Sequence, residues 1–178
     1  MMRKHFTYAG VAFTVLFLLP LAMPSTAVAQ EDCVEGGDAY TRGAELELTW
    51  ANRKDDPQTK PERYNRALEK VAESYADPPV EPRTHLLAAR AYLGLRDYTG
   101  ADSALKMLVE SAPQCSDQAQ EMRFNAWVPL YNSGIEKLAA GDEDGALAAF
   151  EQANRIYTDS RSMNNIASIY QSRGETGR

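Results

Sequence analysis

Two histidines and two cysteines are the residues of this 178-residue chain most suited to chemistry, and neither pair forms a reactive constellation in sequence. His5 falls in the extreme N-terminus, which leaves His85 as the one imidazole for everything that follows. Ser-His-Asp and Cys-His nucleophiles need an imidazole base, so any such scheme would have to be built on His85. No His-Glu-x-x-His, Gly-rich phosphate loop, Gly-x-Ser-x-Gly or Cys-x-x-Cys occurs. One histidine and two widely spaced cysteines make a poor zinc ligand set. A carboxylate pair of the glycosidase type is a matter of geometry, which 25 Asp and Glu side chains leave open. The expectation is a protein with no cofactor, no metal and no catalysis of its own; an uncharacterised carboxylate hydrolase is the minor alternative.

The N-terminus reads as a targeting segment. Arg3 and Lys4 precede an uncharged apolar stretch over residues 6–23, and Ala27-Val28-Ala29 offers the small residues that a signal peptidase reads. Residues 1–29 are therefore expected to be a signal peptide, cut near Ala29. Its rival is an uncleaved anchor, since about 18 apolar residues approach a membrane span; Pro20 and Pro24 count against it. Gln30, Glu31 and Asp32 separate the small residues from Cys33, which disfavours a lipid anchor. Cleavage would place the protein in the periplasm or outside the cell and, by removing Arg3 and Lys4, take its formal charge from −6 to −8. Such an acidic chain is a poor match for the phosphates of nucleic acid or for anionic lipid. No later stretch is apolar and long enough to cross a bilayer.

Beyond a flexible lead-in at 30–37, Pro and Gly punctuate a succession of helices without alternating strands. Helices are expected over 38–52, 61–75, 84–95, 99–111, 116–140, 142–157 and 160–173, with a charged loop at 53–60. Ser116 or Asp117 and then Asp142 are candidate caps, Gly141 a stop, and Pro129 a kink or break. Seven or eight helices with short connections imply an all-α fold.

Self-similarity organises these helices. Ala89 and Ala101 lie 12 residues apart, as do Gly134 and Ala146. Leu105, Leu108 and Pro113 follow Ala101 at offsets of 4, 7 and 12; Phe150, Ala153 and Thr158 follow Ala146 identically, and Val71, Ser74 and Pro79 follow Ala67. Ala67 and Ala101 are 34 residues apart. Small residues facing each other let two antiparallel helices approach closely, and larger ones further along fill the gap to the next pair. A lone pair cannot bury both faces, so pairs must stack.

A 34-residue helix-turn-helix unit of this pattern resembles the tetratricopeptide repeat. The likeness is clearest over 85–113 and 130–158. The sites usually holding Trp, Leu, a small residue and Tyr hold His85, Ala88, Ala89 and Tyr92, then Leu130, Ser133, Gly134 and Lys137. In that frame His85 is a packing residue. The resemblance implies a right-handed superhelical stack of antiparallel helix pairs, a solenoid. Its units would be about 38–79, 82–115 and 116–159, with a final helix at 160–173. The early unit departs from the pattern, with Gly43 lying 24 residues before Ala67. Ala101 to Ala146 spans 45 residues, and the excess around 117–125 amounts to about three extra helical turns.

Cys33 and Cys115 are the only two cysteines of a chain expected to be exported, so a disulfide is the first hypothesis. Against it, two helix pairs could hold them roughly 20 Å apart, which only a folded-back 33–37 segment would close. By the resemblance, first helices line the concave side, placing Tyr40, Arg90, Tyr131, Asn132, Ile135, Asn165 and Ile169 in a partner groove. The competing expectation is that Tyr131 and Ile135 merely pack on neighbouring helices. No Lys and Asn clamp for a C-terminal carboxylate is visible. The implied function is a non-catalytic scaffold of the cell envelope that binds protein or peptide. The alternative is a structural or self-associating subunit that stacks through its end helices.

Overall fold

The computed structural model describes residues 32–53 and 58–174. The expected signal peptide at 1–29 lies outside the described residues, as do the middle of the 53–60 loop and residues 175–178. All regular structure among the described residues is helical: α1 (Ala39–Ala51), α2 (Lys60–Ala76), α3 (Pro82–Gly94), α4 (Tyr98–Ser111), α5 (Ser116–Ala139), α6 (Glu143–Ile156) and α7 (Ser160–Ser172). A short 3-10 turn, Pro113–Cys115, joins α4 to α5.

Local chemistry sets the boundaries. The carboxylates of Asp38, Asp97, Asp142 and Asp159 accept the otherwise orphaned amides of Thr41, Gly100, Gly145 and Arg161 at 2.7–2.9 Å. Pro61 and Pro82 occupy first-turn sites of α2 and α3, where a missing N–H costs nothing. Between α3 and α4 the chain turns through Arg96, at φ 59°; between α5 and α6 it turns through Gly141, at φ 79°. The two turns share their hydrogen bonds, Asp97 N–H to Tyr92 C=O and Asp142 N–H to Lys137 C=O, both at 2.9 Å. An arginine therefore fills the left-handed position that a glycine fills 45 residues later.

Two details depart from expectation. Neither Ser116 nor Asp117 caps α5; Cys115 occupies the cap position without a side-chain bond, because the 3-10 turn already feeds into the helix. Pro129 does not break α5, which runs through it for 24 residues and absorbs the excess of the second repeat interval as continuous helix.

Consecutive helices pack as pairs, α1 on α2, α3 on α4 and α5 on α6, while α1 also meets α3 and α4 meets α6. The small residues are where close packing needs them: Ala67, Ala89, Ala101, Ala146 and Ala153 are fully buried, alongside Leu105 and Phe150. The Phe150 ring lies directly over Gly134, so close that a β-carbon there would come within 2.5 Å of it. His85 is buried, its Nδ1 bonded to the Tyr75 hydroxyl at 2.9 Å. Burial holds its imidazole below the ordinary 6.5, opposed by Glu110, and lifts Tyr75 to about 12.

The lead-in expected to be flexible is tied down from Asp32 onward. Cys33 and Cys115 form a disulfide with Cα atoms 5.1 Å apart. The Cys33 amide donates to Gln118 at 3.1 Å, Val34 is buried, and its carbonyl accepts from Arg83 at 3.0 Å. Asp32 pairs with Arg90 and Arg83. The segment thus folds back across α3 to the start of α5, which closes the separation anticipated between the cysteines.

Candidate functional site

The third pair, α5 and α6, and the last described helix, α7, build the most distinctive surface. Phe124, Trp127, Tyr131 and Ile135 follow one another at helical spacing along a single stripe of α5. Phe124 stacks on Trp127 with ring centroids 5.6 Å apart, and Trp127 stacks on Tyr131 at 4.7 Å. Tyr157 meets both Phe124 and Trp127 edge-on, and Phe150 lies beneath Tyr131. Opposed quadrupoles favour such offset and edge contacts over a face-to-face sandwich. The row is buried at its centre and open at its ends: Trp127 is 2% exposed, Phe124 38% and Ile135 40%.

Helix α7 supplies the facing wall. Asp159 caps it and also grips the Arg161 guanidinium at two points, 2.8 and 2.9 Å. Those hydrogen bonds hold the Asp159 carboxyl below its ordinary range. So fixed, the guanidinium lies over the indole of Trp127, 4.3 Å from the ring centroid. One turn on, the Asn165 amide donates to the Tyr131 hydroxyl at 3.3 Å and to the Arg161 carbonyl at 3.0 Å. The result is a strip of aromatic edge, amide, guanidinium and exposed aliphatic chain.

Of the residues expected in a groove, Tyr131, Asn132, Ile135 and Asn165 share this region, with Asn132 exposed between its α5 neighbours. Tyr131 also packs on neighbours, as the competing expectation had it. The others lie elsewhere. Ile169 is buried in one apolar cluster with Phe150 and Ala146, where α7 packs on α6. Arg90 is engaged by Asp32, so its guanidinium is not free for a partner. Tyr40 is partly exposed in the first turn of α1.

Sequence reasoning missed Phe124, Trp127 and Arg161. The signal was present as three aromatics at α5 spacing, but they straddle the inserted turns, which the repeat pattern does not describe. Nothing in the sequence singles out Arg161, because its place over the indole depends on Asp159 aiming it there.

Among the described residues no group of three or more His, Cys, Asp or Glu is placed to hold a metal ion, and no helix is long and apolar enough to cross a membrane. Comparison with family models, with curated proteins and with solved structures finds no significant match to this chain.

Proposed function

We propose that this protein is an exported, tetratricopeptide-like scaffold of the cell envelope that binds an extended protein or peptide segment and carries out no catalysis itself. The observation that carries the reading is the α5–α7 strip. Half-exposed Phe124 and Ile135 offer apolar anchors, while Asn132, Asn165 and the Tyr131 hydroxyl offer hydrogen bonds to an extended backbone. The 45-residue recurrence of the Asp-capped turn and the buried small residues support a superhelical stack of helix pairs. The Cys33–Cys115 disulfide supports residence in an oxidising compartment and hence export. A display library of random peptides panned against the purified protein tests the binding reading. Enrichment of peptides that compete with one another and lose binding to Ile135→Asp supports it; no enrichment over an unrelated helical protein overturns it.

A second reading has its own observation. The first and last helices expose large apolar side chains, Leu46 (57%) and Trp50 (44%) on α1 and Met163 (45%) on α7. Self-association through those end helices would cover them. Sedimentation velocity over a wide concentration range distinguishes the two, since a monomer at all concentrations removes this reading.

A further inference from the structure

We propose that the cleft between α4, α5 and the end of α6 binds a small polyanion, a ligand carrying two or more clustered carboxylate or phosphate groups. The cleft measures about 530 Å³, and Lys106, Arg123 and Arg155 line it against one carboxylate, Asp102. Glu110 lines only the adjoining depression. A local excess of cations is notable in a chain whose formal net charge is −6.

Two of the three cations, Lys106 and Arg123, are held in place by Asp102. Asp102 accepts from Arg123 Nε and Nη2, both at 3.0 Å, and from Lys106 Nζ at 2.7 Å. Burial works against ionisation of Asp102, yet those bonds hold its carboxyl below the ordinary range. One carboxylate therefore orients two cations without neutralising both. Arg123 is largely covered, at 16% side-chain exposure, so its guanidinium cannot swing away. Arg155, in the last turn of α6, also offsets the carbonyl end of that helix. Gln120, Tyr157 and Thr158 add neutral hydrogen-bonding groups to the wall.

A second observation points to the same place. Gln120 and Arg123 belong to the turns by which α5 exceeds a regular 34-residue unit. At the positions 45 residues beyond Asp102 and Lys106 stand Leu147 and Glu151, so the repeat does not carry the cluster. The inserted turns thus build a wall that regular packing lacks, and they place a guanidinium on it.

Isothermal titration of the purified protein at low ionic strength tests the proposal, with citrate and inorganic pyrophosphate as probes and acetate as the monoanion control. Citrate and pyrophosphate are expected to saturate one site, with acetate far weaker. Arg155→Gln, at an exposed position, is expected to weaken both by about tenfold. Arg123→Lys, which keeps the charge but loses the two-point grip on Asp102, is expected to weaken them as well. Arg66→Gln, an exposed cation on α2, is expected to change nothing. Absence of citrate and pyrophosphate binding overturns the proposal, as does an equal loss in Arg66→Gln. Tighter binding of polyglutamate than of citrate would overturn the assignment to a small ligand.

Discussion

The indole N–H of Trp127 donates to the Ser162 hydroxyl at 2.9 Å, and both groups are buried. This bond ties α5 to α7, beneath the Arg161 guanidinium that covers the ring. Ser162→Ala would leave a buried donor unpaired, at a cost of about 1–3 kcal/mol. Urea unfolding should show that loss, and hydrogen exchange should show it concentrated in α7. Uniform exchange rates across all helices would mean that the bond does not hold α7 in place.

Glycine substitutions should separate close approach from mere small size. A β-carbon at Gly134 would strike the Phe150 ring, so Gly134→Ala is expected to destabilise by about 1–3 kcal/mol. At Gly43 the nearest atom is 3.3 Å away, in the flexible stem of Lys70. There alanine should be tolerated or even stabilise, by up to about 1 kcal/mol from helix propensity. Thermal melts of the two variants should move in different directions or by clearly different amounts.

The disulfide closes a loop over a sequence separation of 82. Restricting the unfolded chain in that way is worth about 4–5 kcal/mol on the chain-entropy account. The double variant Cys33→Ala, Cys115→Ala should therefore melt well below the parent protein. Unreduced protein should give no reaction with a thiol reagent, even when denatured.

Burial lowers the titration of His85 in the folded protein relative to the unfolded chain. The unfolded state then takes up the proton more readily, so stability is complete above the ordinary value of 6.5 and is lost as pH falls below it. His85→Gln removes the titrating group. Its stability should be flatter than that of the parent as pH falls below 6.5.

Much of this architecture is legible in the sequence, because its determinants are local. Aspartates three residues before a glycine, prolines at first turns and the Gly141 stop fix the helix boundaries to within a residue or two. The pairing of small residues, visible as the 12-residue spacing, anticipates which positions are buried. What the sequence does not reveal is long-range. Nothing near Asp32 announces that it will meet Arg90, 58 residues away, and so take a groove candidate out of play. Ile169 reads as a groove residue until α7 docks and buries it with Phe150 and Ala146. The aromatic row of α5 is readable residue by residue. Its partnership with Arg161 depends on how α7 docks.

The most direct test of the α5–α7 surface is fluorescence titration of a selected peptide, read from the tryptophan emission, against the parent protein and the exposed-site variant Asn132→Ala, Ile135→Asp. Circular dichroism should show both proteins equally helical. The account predicts a saturable change in the parent and at least about a tenfold weaker affinity in the variant. Equal affinity in both, with helicity preserved, would contradict it.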